Sequence, residues 1–236
     1  TIVTQDITEP NAIASNNGPL TCAKTTVTLT ALPATDMTYL WSNSATTQTT
    51  NITTPGTYTV TVTGLNGCTA TASTVVTQDI TEPNAIASNN GPLTCAKTTV
   101  TLTALPATDM TYLWSNSATT QTTNITTPGT YTVTVTGLNG CTATATTIVT
   151  QDITEPNAIA SNNGPLTCAK TTVTLTALPA TDMTYLWSNS ATTQTTNITT
   201  PGTYTVTVTG LNGCTATATT IVTQDITEPN AIASNN

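Results

Sequence analysis

Every 73 residues the chain repeats itself almost letter for letter, so that Thr1, Thr74, Thr147 and Thr220 open the same phrase. The registers differ only at Ile2, Val75, Ile148 and Ile221, and at Ser73, Thr146 and Thr219. A period this long and uniform describes a tandem array of small modules, not one large domain. The phrase restarts at Thr220, which reads as part of a longer polymer. Each period must build its own core from few residues, and a module of roughly 70 residues buries only about 60% of its unfolded surface. Neighbours or cross-links are therefore expected to support it.

Within Thr1 to Ser73 there are 22 threonines, while the whole chain has no Phe, His or Arg and only three lysines. β-Branched, nearly uncharged sequence favours strands over helices. Alternation of period two marks them: Val27, Leu29 and Ala31 face one way, with Thr26, Thr28 and Thr30 opposite. Met37 to Trp41 and Thr57 to Thr63 repeat the pattern, the latter with Tyr58 and Val60 inward. Gly64-Leu-Asn-Gly67 is a turn rich in residues that tolerate positive φ, and Cys68 onward is the returning strand. Weaker strands are expected over Asn11 to Asn17, before a Gly18-Pro19 turn, and over Thr46 to Thr53. Seven short strands around one Trp predict an all-β fold of tandem immunoglobulin-like β-sandwich modules strung end to end. The expected core is Leu29, Trp41, Tyr58 and Val60, with Leu29 and Val60 where antibody domains carry cysteines. The modules then run over 10–79, 83–152 and 156–225. Residues 1–9 end a preceding repeat and linker, and 229–236 begin the first strand of a following one.

The phrases Tyr39-Leu-Trp-Ser-Asn-Ser-Ala-Thr-Thr-Gln48 and Gly56-Thr-Tyr-Thr-Val-Thr-Val-Thr-Gly-Leu-Asn-Gly-Cys-Thr-Ala-Thr-Ala72 resemble the SprB-type and related immunoglobulin-like (PKD-like) repeats of large Bacteroidetes cell-surface adhesins. The resemblance covers about half of each repeat. It implies export to the bacterial cell surface, through the type IX pathway, and roles in adhesion and gliding motility. The chain has Gly64-Leu65 where that family often carries an Asp-Ala pair.

The six cysteines lie at two phases and lack histidine partners or a C-x-x-C spacing, which argues for disulfides over zinc. Disulfides place the chain in an oxidising, extracellular setting. Strand order sets Cys22 at the lower end of its module and Cys68 at the upper end. A strand of about 7 residues spans about 23 Å, whereas a disulfide needs Cα atoms within about 7 Å. That order favours bridges between repeats, Cys22 to Cys141 and Cys95 to Cys214, with Cys68 and Cys168 pairing beyond this stretch. Bridges within repeats (Cys22–Cys68, Cys95–Cys141, Cys168–Cys214) remain open if the strand ends lie several residues away.

The same ordering brings Asp79, Glu82 and Asp109 to the joint between the first two modules, near Lys24. One reading is a calcium site, since hard cations take several carboxylate and carbonyl oxygens. The other is a solvated acidic joint partly neutralised by Lys24, without any cofactor. Leu65 and Ile7, set at such a joint, would support close end-to-end packing.

A net charge of −8 removes any basic groove for nucleic acid. No run approaches the roughly 20 apolar residues of a membrane helix. Without His or Arg, and with one Lys per period, an enzyme lacks its usual acids, bases and clamps. The expected function is the structural shaft of a long extracellular fibre or surface adhesin. Its partners are neighbouring repeats and, in a fibre, other copies. The alternative is a multivalent carbohydrate- or surface-binding array in which each repeat binds weakly.

Overall fold

The computed structural model describes residues 4–228, so the following-repeat segment 229–236 and residues 1–3 lie outside the described region. The described chain is all β, with eight strands per repeat. It divides into two compact units. Among the described residues, one comprises 4–88, 103–123 and 131–147, and the other 89–102, 124–130 and 148–228, so the middle repeat contributes to both.

In the first unit, the first repeat carries β1 (Ile13–Asn16), β2 (Leu20–Thr21), β3 (Val27–Leu32), β4 (Met37–Trp41), β5 (Thr49–Ile52), β6 (Gly56–Gly64), β7 (Thr69–Val76) and β8 (Gln78–Asp79). One sheet has the order β1-β3-β5 and the facing sheet β4-β6-β7, the two-sheet arrangement of an immunoglobulin-like sandwich. Pairing inside both sheets is antiparallel. The alternation of the sequence is the alternation of burial: Val27, Leu29 and Ala31 of β3 and Val60 and Val62 of β6 are fully enclosed. Trp41 closes the core with its ring nitrogen donating to the Thr47 carbonyl at 3.1 Å, so its one polar atom is satisfied. Tyr58 sits at the rim, half-buried, because its hydroxyl reaches out to the Thr54 carbonyl at 2.9 Å. Tyr39 likewise anchors the start of its sheet through a 2.6 Å bond to the Pro33 carbonyl.

Two short strands have no counterpart in the sequence reading. β2 and β8 form a parallel pair, Leu20 opposite Gln78 and Thr21 opposite Asp79. Leu20 is buried and its N–H donates to the Thr77 carbonyl at 2.9 Å. Asn16 ties β1 to β7 by donating to the Thr74 hydroxyl (2.7 Å) and the Val75 carbonyl (3.0 Å). The chain's entry and exit strands are thus fastened side by side.

The second unit contains the third repeat, with β17 (Ile159–Asn162), β18 (Leu166–Thr167), β19 (Val173–Leu178), β20 (Met183–Trp187), β21 (Thr195–Ile198), β22 (Gly202–Gly210), β23 (Thr215–Val222) and β24 (Gln224–Asp225). Its sheets have the same orders and its core the same residues, from Leu175 and Trp187 to Val206. The middle repeat supplies β9 (Ile86–Asn89), β10 (Leu93–Thr94), β11 (Val100–Leu105), β12 (Met110–Trp114), β13 (Thr122–Ile125), β14 (Gly129–Gly137), β15 (Thr142–Val149) and β16 (Gln151–Asp152). No helix among the described residues is long and apolar enough to cross a membrane.

Leu29→Ala should lower the unfolding free energy of the first repeat by about 2–5 kcal/mol, the range for a buried leucine. Thr59→Ala, on the outer face of β6, should cost under about 1 kcal/mol. Urea denaturation followed by Trp fluorescence compares the two.

Candidate functional site: the joint between repeats

Just after β2 the chain makes a tight loop in which the Thr21 N–H donates to the Lys24 carbonyl (2.8 Å) and the Lys24 N–H to the Thr21 hydroxyl (2.9 Å). Cys22 and Ala23 are held at its tip. Facing them in the same compact unit is the β14–β15 turn, closed by Gly137 N–H to the Cys141 carbonyl and Gly140 N–H to the Gly137 carbonyl, both at 2.9 Å. The tip and the turn meet through a backbone bond, Ala23 N–H to the Asn139 carbonyl at 3.1 Å. Cys22 and Cys141 form a disulfide with Cα atoms 4.9 Å apart.

Gly140 makes this contact possible for two reasons. Its φ of +78° belongs to the region that favours glycine. A Cβ there would also overlap the Ala23 methyl and lie 2.9 Å from the Ala23 nitrogen. Gly67, the same position one period earlier, shares the φ of +78° but has nothing within 4 Å of where its Cβ would be. At Gly140 the absent side chain therefore serves the joint as well as the turn.

Asn139 closes the joint from the other side. Its amide nitrogen donates to Asp79 Oδ1 (3.1 Å) and to the Thr81 carbonyl (2.9 Å), while its own oxygen accepts from the Cys141 N–H (3.0 Å). Since Asp79 is also in β8, paired to β2, the linker is gripped by the repeat it leaves and by the repeat it enters. The second unit repeats every element: Cys95 is bonded to Cys214 with Cα atoms 5.0 Å apart, Ala96 N–H donates to the Asn212 carbonyl, and Asn212 holds Asp152 and Thr154. Cys141 and Cys214 are each 1% exposed. Cys68 is half-buried and Cys168 exposed, both as thiols. Each bridge spans 119 residues of sequence. In the chain-entropy view a loop of that length stabilises the folded state by at most about 5 kcal/mol.

The carboxyl of Asp79 is held below the ordinary aspartate range, first by the backbone N–H of Thr81, then by the Asn139 amide and the Thr81 hydroxyl. Asp152 is lowered in the same way by Thr154 and Asn212. These bonds favour the ionised form, so the stability they contribute is present above the unfolded-state value and is lost as pH falls through the lower folded one.

Asp79, Glu82 and Asp109 line one shallow cleft beside Met110 and Leu138. Among the described residues, however, no three metal-ligating side chains come together as a group able to hold an ion. Asp79 Oδ1 already accepts from the Thr81 N–H at 3.1 Å and from Asn139. The Lys24 ammonium donates to the Asn17 carbonyl of its own repeat at 2.6 Å. Leu65 and its copy Leu138 are 86% and 85% exposed and Ile7 is exposed, so end-to-end packing does not rest on them. The contact is made instead by the backbone of Ala23, Asn139 and Gly140.

The fold and the joints define a tandem array of immunoglobulin-like β-sandwich repeats. No family model matches the chain, and no curated protein matches it. Among solved structures it is similar to a part of a 1.5-MDa bacterial ice-binding adhesin, at 13% identity over 94% of this chain and 100% of that one, with a TM-score of 0.52. A calcium-stabilised adhesin of an Antarctic bacterium that binds ice gives 14% identity, 93% and 75% coverage and a TM-score of 0.56. At these identities the likeness is one of fold.

Gly140→Ala should loosen the first joint, so that dithiothreitol reduces Cys22–Cys141 faster than in the parent chain. Gly67→Ala, with the same backbone strain of roughly 1–2 kcal/mol, should leave that rate unchanged. Timed alkylation and peptide mapping read both. On acidification below the ordinary aspartate range the joint should weaken, and Asp79→Asn should flatten this acid limb in melting curves recorded against pH.

Proposed function

We propose that the chain is a stretch of the non-catalytic shaft of an extracellular fibre or surface adhesin, spacing a binding element from its anchor. The observation behind this reading is the doubled joint, at which a gripped peptide linker and a disulfide connect the same two repeats. A protein that had only to display independent binding sites would gain nothing from joints fixed twice. Disulfides agree with an oxidising setting outside the cytoplasm. The fold likeness to adhesins and the resemblance to SprB-type repeats support a bacterial cell surface, with adhesion and gliding as the activities served. The carbohydrate-binding alternative is less well supported, because Trp41, Trp114 and Trp187, the natural stacking platforms, are each 1% exposed.

Small-angle scattering of the oxidised chain tests the shaft reading. It should give the cross-section of a single sandwich and a length set by three repeats in line. A compact or freely jointed particle, or binding of the chain on a glycan array, would overturn the proposal.

A further inference from the structure

The two bridges interlace: Cys95 lies within the loop closed by Cys22 and Cys141, and Cys141 within the loop closed by Cys95 and Cys214. From this connectivity we infer that the chain has a second function as a redundant tension member, in which no one repeat, and no two, can lengthen the chain by unfolding. The inference rests on the covalent graph and on which segments are already extended, and it holds whether or not the chain serves as a shaft.

Four spans of strand carry the force. In the first repeat the segment from Pro10 to Cys22 runs through β1 and β2. In the middle repeat, Pro83 to Cys95 runs through β9 and β10, and Cys141 to Asp152 through β15 and β16. In the third, Cys214 to Asp225 runs through β23 and β24. Each runs largely as strand, the first two with a bend between their paired strands at Asn17 and Asn90, and has far less length to give than a whole repeat.

If the first repeat unfolds, tension applied at its start reaches Cys22 along β1–β2 and crosses to Cys141 in the middle repeat. If the middle repeat unfolds, the flanking repeats stay joined by two routes. One is Cys22 to Cys141 and then β15, and the other is β9–β10 to Cys95 and then Cys214. If the third unfolds, Cys95 passes the tension to Cys214 and on along β23–β24. The same routes survive the loss of any two repeats. The sandwich interiors β3–β6, β11–β14 and β19–β22 lie off them. Only when all three repeats have unfolded does the taut route change to Cys22–Cys141, back along the chain to Cys95, and across to Cys214. That route exposes 46 residues in place of three whole repeats.

Force spectroscopy of the whole chain, held at its two ends in a Cys68→Ser, Cys168→Ser background, tests this. With both bridges present by mass, the trace should show no repeat-length release and one final release of about 10 nm. After reduction by dithiothreitol the same molecules should show three releases of roughly 20 nm each. Removing one bridge, by Cys22→Ser with Cys141→Ser, should restore a single repeat-length release, from the first repeat. Removing the other, by Cys95→Ser with Cys214→Ser, should restore one from the third. Repeat-length releases from molecules that carry both bridges would overturn the inference, as would the absence of these two bridges from the oxidised chain. A compact particle in scattering with the force pattern intact would remove the shaft reading and leave this one standing.

Discussion

The contact between the Ala23 loop tip and the Gly140 turn is the constraint from which the rest of the arrangement follows. A disulfide can close only when two Cα atoms come within about 7 Å, and here the approach to 4.9 Å is set by a glycine with no Cβ meeting an alanine with the smallest one. Once they meet, the Ala23–Asn139 backbone bond is in place, the Asn139 amide faces the linker, and Cys141 is covered. A side chain at Gly140 would disturb all three together.

Each sandwich obeys a simpler rule. Threonine alternating with valine, leucine and alanine leaves one face per strand able to be dry, and the two dry faces close on a tryptophan. Because the outer faces are threonine and not charge, the surface is neutral over most of each repeat. Two of the carboxylates, Asp79 and Asp152, organise the linker by accepting N–H bonds, which is also why their ionised forms are favoured.

The all-β fold and most of the core were legible, since alternation over Val27 to Ala31 and Thr57 to Thr63 reports burial directly. Tyr58 reads as core by the same rule, yet a phenol at the end of a sheet can turn its hydroxyl outward. The β2–β8 pair was not legible, because two-residue strands have no period to detect. Asn139 and Gly140 look like any hairpin turn; their part in the joint depends on what faces the turn, which lies over a hundred residues away. The exposed Leu138 misleads in the opposite direction, as hydrophobicity alone places it in a contact that the backbone makes instead. The cysteine pairing depends on which end of a sandwich each residue occupies, a property of strand order that spacing alone does not contain.

The bridges have a bearing on how such a chain can change over generations. Each joins a cysteine to the partner phase of the adjoining repeat, so inserting or deleting one complete 73-residue period regenerates every bridge, every Ala–Gly contact and every Asn–Asp grip at the new boundary. Insertions that are not a whole number of periods would break the register of any joint they fall in. Near-identity between periods also favours recombination between them in register. The length of the array can therefore be altered in whole-repeat steps by unequal exchange alone, with no compensating substitution anywhere else.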